Sequence, residues 1–281
     1  MANQAMRDLW DGESGAAWVR LEERYDGTLA PWAELLADVA AIGPGEDVLD
    51  VGCGFGTTSL DAAARTGPSG AVLGVDLSSV MVARARERAA AAGLDHLRFA
   101  VADAQTDDVG ADHDVVISRF GIMFFDDPVA AFAHLAASVR PGGRLAVLAW
   151  AAADRQEWVT VPAAAALAHV PFPDFGAPGA PGAFALADAD RTAGILAATG
   201  WSDVAIEPHT RTQRLGGTDA LELAMDYVVS SGPGRALLAG APDDAARERA
   251  IAAVREALAA RATTDGIPVD GTAWAVTARR Q

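Results

Sequence analysis

Lysine is absent from all 281 residues, and the 22 basic residues are all arginines. Without it the chain has no P-loop G-K-S/T and no Schiff-base amine. That excludes pyridoxal-type enzymes and lysine-based kinase sites. Cysteine occurs once, as Cys53, which rules out an intramolecular disulfide and any cysteine-based zinc cluster. No apolar run approaches the roughly 18–20 residues of a membrane span. The N-terminus, Met1-Ala2-Asn3-Gln4, lacks a basic and then apolar signal region, so the sequence reads as a cytoplasmic protein. Positive charge is in deficit: 38 acidic residues against 22 basic leave a net charge of −16. That field repels nucleic acid and anionic membranes, so neither is expected as a partner. Apolar residues make up 51% of the chain, enough to bury the core of one large α/β domain or of a domain plus a cap.

What is present centres on residues 47–57, where the short apolar run 48–51 leads into Gly52, Gly54 and Gly56. A helical pattern begins at once at Thr57. Strand, glycine loop and helix set backbone N–H groups and a helix N-terminus against an anionic group. A second apolar run at 71–75 ends in Asp76, 20 residues beyond Gly56, where nucleotide-binding α/β units place the acid that holds a ribose. The glycines read G-x-G-x-G rather than the G-x-G-x-x-G of most nicotinamide enzymes.

The rest of the chain alternates strand and helix. A helical stretch is expected over 4–26, carrying Trp10, Trp18 and Tyr25, and a second over 31–42 with Pro31 at its first position. Ser78 caps a helix that Gly93 ends. Strands follow at 96–102, 113–118 and 144–150, with a helix opened by Asp126, Asp127 and Pro128 between the last two. This alternation predicts a Rossmann-like, doubly wound, mostly parallel sheet with ligands at the strands' C-terminal ends. Two insertions, 151–190 and 215–268, break the rhythm and leave from those ends. The expected organisation is an N-terminal helical lid (1–45), a core (46–150), a cap insertion (151–190), a core helix and strand (191–214), a helical cap insertion (215–268) and a terminal strand (269–281).

Five blocks in order, V-L-D-V-G-C-G-F-G-T, V-D-L-S-S-V-M, V-A-D-A, S-R-F-G-I-M-F-F-D-D-P and L-A-A-S-V-R-P-G-G-R-L, resemble the class I S-adenosylmethionine-dependent methyltransferases, in particular the ubiquinone/menaquinone-biosynthesis-like branch. The terminal strand also fits, and in this family it runs antiparallel. The resemblance implies S-adenosyl-L-methionine as cofactor and S-adenosyl-L-homocysteine as product. It implies that Asp50, Gly52, Cys53 and Gly54 surround the methionine end, and that Asp76 accepts both ribose hydroxyls. Leu77 and Met81 would pack on the adenine. Asp103 would accept from its amino group, with the Ala104 N–H facing a ring nitrogen. Ser118 would lie near the methionine moiety through its backbone, and Trp10 and Trp18 match N-terminal aromatic positions near the cofactor.

Methyl transfer from a sulfonium mainly requires alignment and exclusion of water, so a general base is optional. Topology sets His96 and His113 at the edge away from the ligand and His134 on a solvated helix face, which leaves His169 and His209 as candidate bases. Tyr25, Tyr227 and Glu157 are weaker candidates. Asp126 and Asp127 resemble a metal pair but are better read as caps, and no metal is expected. Arg119, Phe120, Met123 and Trp150, with Trp158, Phe172 and Phe175 from the cap, would line an acceptor pocket. That set favours a small hydrophobic or aromatic acceptor, with an acidic group for Arg119. Two rivals stay open: a cofactor-binding protein that transfers nothing, and a nicotinamide dehydrogenase on a similar sheet. The missing third glycine of G-x-G-x-x-G counts against the second.

Overall fold

The structure is a computed structural model that describes residues 3–173, 179–216 and 219–281. Phe175 lies outside the described residues. Three helices come first: α1 (Gln4–Trp10), α2 (Glu13–Arg20) and α3 (Glu22–Ala40). The core then runs β1 (Asp47–Val51), α4 (Thr57–Thr66), β2 (Ala71–Asp76), α5 (Ser79–Ala92), β3 (Leu97–Val101), β4 (His113–Arg119), α6 (Pro128–Ser138) and β5 (Val139–Trp150). After β5 come α7 (Glu157–Ala166), α8 (Ala189–Ala198) and β6 (Trp201–Leu215). Helices α9 (Ala220–Ser230), α10 (Gly232–Ala239) and α11 (Asp244–Ala259) lead to β7 (Ile267–Arg280).

The seven strands form one sheet in the order β3-β2-β1-β4-β5-β7-β6. Strands β1 to β5 pair in parallel, and β7 runs antiparallel to both β5 and β6. This is the doubly wound, mostly parallel sheet with an antiparallel last strand that the pattern predicts. The order reverses between β1 and β4, where chain connections leave in opposite directions and open a crevice at the strands' C-terminal ends. Strand β1 sits at this reversal with Val48, Leu49, Asp50 and Val51 all buried.

Local chemistry sets most boundaries. The Ser78 hydroxyl accepts from the Met81 amide at 3.3 Å to start α5, and Gly93, at φ 67°, ends it. Asp127 caps α6 by accepting from the Ala130 amide at 3.0 Å, with Pro128 in the first turn.

The N-terminal expectation needs correction. The stretch 4–26 is broken into three helices, and the third passes straight through Pro31 instead of starting there. A proline ring normally clashes with the carbonyl four residues back. Here that residue is Gly27. Tertiary burial of Leu29, Trp32, Leu35 and Leu36 outweighs the missing hydrogen bond. Helix α10 escapes a sequence reading because it opens on Gly232-Pro233-Gly234. The Ser231 hydroxyl caps it, accepting from the Gly234 amide at 3.1 Å.

Candidate active site

A cavity of about 1160 Å³ opens at the C-terminal ends of β1, β2 and β4. Its floor is the glycine loop, with Gly52, Cys53 and Gly54 on the wall. Gly52, Gly54 and Gly56 all have positive φ, at 66°, 56° and 88°. A Cβ on Gly52 would stand 2.6 Å from the Gly121 Cα, so the loops after β1 and β4 touch backbone to backbone.

Asp76, Leu77 and Met81 line the next part of the wall, followed by Asp103 and Ala104. One oxygen of Asp76 accepts from the Gly54 amide and the other from the Ser78 amide, both at 2.8 Å. Burial pushes this carboxyl above the usual carboxylate range, against those amide hydrogen bonds. The group is therefore held in one orientation while the ionised form is under strain. Asp103 is 3% exposed, and its Oδ1 accepts from the Gln105 amide at 3.0 Å.

Arg119, Phe120, Met123 and Trp150 also line the cavity. Among the described residues the Arg119 guanidinium has no ion pair; it reaches the Leu29 carbonyl at 3.5 Å. Burial lowers its pKa, and the Asp26 and Asp50 charges oppose that. Phe120 holds φ at 65°, a strained conformation for a bulky side chain, and stacks on Trp150 with centroids 3.8 Å apart.

The rest of the wall is aromatic and comes from separate elements. Trp10 and Trp18 on α1 and α2 meet edge to face at 5.6 Å, and Trp18 stacks on Tyr25 of α3 at 3.8 Å. Tyr25 meets Tyr227 of α9 at 6.0 Å, Tyr227 meets Trp158 of α7 at 6.0 Å, and Trp158 meets Trp150 at 5.6 Å. The belt thus runs from the N-terminal helices through both insertions to the end of β5. Burial raises the pKa of both tyrosines, so both phenols are neutral donors at physiological pH.

Some expected residues stand elsewhere. Asp50 and Ser118 are fully buried behind the wall. One Asp50 oxygen accepts from Thr58 and Ser59 at 2.7 and 2.6 Å, while Oδ1 has no partner among the described residues. Ser118 donates to the Val51 carbonyl at 2.6 Å and accepts from Gly121, so it positions the two loops. His169 and His209 do not line the cavity. His209 lies on the edge strand β6, in register with Ala273, and its ring is 3.9 Å from Glu207. His134 is not solvated as expected: its ring nitrogen lies 2.9 Å from the Ala104 carbonyl. Phe172 is 55% exposed and outside the wall. Glu157 accepts from Arg261 and the Asp270 amide, tying α7 to β7 and to the turn after α11.

Sequence reasoning missed Gln156, which is fully buried. Its amide donates to the Ala151, Ala152 and Thr272 carbonyls, and its oxygen accepts from the Trp158 indole at 3.3 Å. Arg20, Phe184, Asp226 and Arg235 were also missed, and all four line the cavity. No local pattern marks them, because each acquires its role from contacts far away in sequence.

Residues 48–143 match the family model described as a methyltransferase domain. Alignment with three uncharacterized mycobacterial proteins is 42% identical over 123 residues and covers 43% of this chain and 43% of each of them. Aklanonic acid methyltransferase DauC of Streptomyces sp. (strain C5) is 36% identical over 135 residues, 48% of this chain and 60% of that one. Nocamycin O-methyltransferase of Saccharothrix syringae is 33% identical over 201 residues, 63% of this chain and 70% of that one. This chain belongs to the class I S-adenosylmethionine-dependent methyltransferases. The fold agrees: phosphoethanolamine N-methyltransferase 2 of Haemonchus contortus, solved with S-adenosyl-L-methionine, superposes with a TM-score of 0.58 at 18% identity, over 98% of this chain and 59% of that one. No helix among the described residues of this methyltransferase-family chain is long and apolar enough to cross a membrane.

Cys53 lies in the glycine loop itself. Burial, and then the charges of Asp76 and Asp50, push its thiol well above the usual value. The native chain is therefore expected to resist iodoacetamide at pH 8 and to react fully once denatured, as read by intact mass. Rapid labelling of the folded chain would contradict the packing of this loop.

Proposed function

We propose that this chain transfers a methyl group from S-adenosylmethionine to a small hydrophobic or aromatic acceptor, held under a helical cap. The observation that carries the reading is one cavity whose wall brings together a glycine loop, a fixed carboxylate, a group of aromatic rings and the half-buried Arg119 cation. Its volume, about 1160 Å³, exceeds the range of roughly 300–1,000 Å³ usual for a site that holds one small molecule. Two ligands side by side account for that excess.

The residues present fit the cofactor. Asp76 presents a carboxylate to the ribose hydroxyls, and Leu77 and Met81 offer apolar surface to the adenine. Asp103 accepts from its amino group beside the Ala104 amide. The loop at Gly52, Cys53 and Gly54 receives the amino-acid end near the N-terminus of α4. The unpartnered Asp50 Oδ1 and the buried Ser118 act from behind, through the loop they hold. Trp10 and Trp18 close over the cofactor from the N-terminal lid. When bound, the cofactor supplies an electrophilic methyl group on sulfur.

The chain's own residues align and shield. Phe120, Met123, Trp150 and Trp158 hold a flat apolar acceptor and exclude water. Arg119 attracts an acidic group. Among the described residues no histidine lines the cavity, and both tyrosine phenols stay protonated. That arrangement favours an acceptor whose oxygen is already ionised and needs no protein base. The names of two relatives, those acting on aklanonic acid and nocamycin, support a small-molecule acceptor. Helices α1 to α3 serve as the lid of 1–45, and α7 with α9 to α11 as the caps of 151–190 and 215–268.

Titration with S-adenosylhomocysteine tests the cofactor half. Only the ionised Asp76 accepts from ribose, and its pKa in the free cavity is raised. Affinity is therefore expected to rise with pH across the acidic range and to level off above that raised value. Asp76→Asn should abolish the slope. Turnover against a panel of aromatic acids, phenols and lipid-like acceptors tests the other half. Absence of homocysteine-ligand binding would sink the reading; binding with no turnover on any acceptor would leave a cofactor-binding protein.

A further inference from the structure

Asn3 stands at the start of α1, where an asparagine ordinarily caps the helix with its own side chain. It makes no such bond. The side chain instead reaches across 100 residues of sequence or more. Its Nδ2 donates to Asp103 Oδ1 at 2.8 Å and to Gln105 Oε1 at 3.3 Å. Its Oδ1 accepts from the Asp126 amide at 2.6 Å, and its backbone amide donates to the Asp126 carboxylate at 2.5 Å. Asn3 is 1% exposed and holds φ at 53°, which asparagine tolerates better than most residues. A residue that gives up its local bond and takes a left-handed backbone is being used for tertiary contacts.

Asp103 shows what those contacts do. Its Oδ1 takes two donors, Asn3 Nδ2 and the Gln105 amide. Among the described residues no donor reaches Oδ2, which leaves that oxygen for a ligand. The far end of α1 is anchored as well: Asp11 accepts from the Ser79 amide and hydroxyl at 2.6 and 2.7 Å, at the start of α5. Between the two anchors Trp10 enters the cavity wall, 5.4 Å from Phe124. Helix α1 is thus a strap fixed at both ends across the Asp76–Asp103 side of the cavity.

We infer that Asn3 is a positioning residue that orients the Asp103 carboxylate toward the 6-amino group of the cofactor's adenine, and that it is also the latch whose release lets the cofactor exchange. The inference rests on the cofactor reading above. With Asn3 in place, Oδ1 is saturated and Oδ2 is aimed. With Asn3 withdrawn, Oδ1 keeps only the Gln105 amide, the carboxylate is held less firmly, and the strap hangs from Asp11 alone.

Three readouts test it on the full chain. In the ligand-free protein, Asn3→Ala should speed limited proteolysis within residues 4–20 and alter tryptophan emission. In stopped-flow titrations, release of S-adenosylhomocysteine should quicken about tenfold or more. The preference for S-adenosylhomocysteine over S-inosylhomocysteine, which lacks the 6-amino group, should fall severalfold. Asp11→Asn loosens the same strap without touching Asp103, so it should quicken release while leaving that preference unchanged. Asn3→Ser, a smaller change, is read alongside in case the alanine variant folds poorly. Wild-type release and wild-type preference in the Asn3 variants would overturn the inference. An equal loss of preference in Asp11→Asn would overturn the positioning role. A wild-type chain that binds no S-adenosylhomocysteine overturns the cofactor reading instead, and the positioning role with it; proteolysis then decides the latch alone.

Discussion

Asp76→Ala is expected to weaken S-adenosylhomocysteine binding by about 100-fold or more in calorimetry. Each hydrogen bond to a charged group contributes roughly 1.5–3 kcal/mol, and two ribose hydroxyls would share this carboxylate. Tenfold in affinity corresponds to about 1.4 kcal/mol. The amides of Gly54 and Ser78 already hold both oxygens at 2.8 Å, so no side-chain entropy is lost when the ligand arrives. Asp76→Asn separates function from stability. Burial raises the folded pKa above the unfolded value, so the ionised group is a liability to the ligand-free fold at neutral pH. Asp76→Asn relieves that charge but turns an NH2 toward one of the two donating amides, so it should lower affinity with little change in the melting temperature of the free protein. A variant that loses stability and keeps affinity would contradict the ribose assignment.

Gly52→Ala is expected to lower the melting temperature by several degrees and to abolish most cofactor binding. Two effects add. A left-handed backbone costs an alanine roughly 1–2 kcal/mol. The new Cβ would also stand 2.6 Å from the Gly121 Cα, and forced overpacking costs about 1–3 kcal/mol more. Backbone on both sides leaves no side chain to swing away, so the floor of the cavity must shift. Gly67→Ala is the control. Its φ is 65°, almost the same, but nothing lies within 4 Å of its Cβ position. It should show only the backbone cost and leave binding intact. If both variants behave alike, the close approach of the two loops is not what shapes the floor.

Much of this molecule is legible along the chain. The glycines at 52, 54 and 56, the acid that ends β2, the Ser78 cap and the Gly93 stop are local signals, and each stands where its pattern places it. Such features depend on a few neighbouring residues and on backbone sterics, so they survive any packing.

Other features were decided elsewhere. The histidine at 209 sits on the edge strand because β6 pairs with β7 over its whole length, a pairing no window of β6 contains. Pro31 lies inside a helix because the sheet needs the apolar face of α3 on both sides of it. The aromatic belt joins Trp18, Tyr25, Tyr227, Trp158 and Trp150 across more than 200 residues. Asn3 meets Asp103, and Gln156 meets Thr272, over gaps of 100 and 116 residues. The sheet, the glycine loop and the carboxylate that ends β2 were readable along the chain, because strand period, turn chemistry and capping act within a few residues. Which rings, amides and cations line the rest of the cavity emerged only on folding, because contacts between distant segments exist only once the chain is closed on itself.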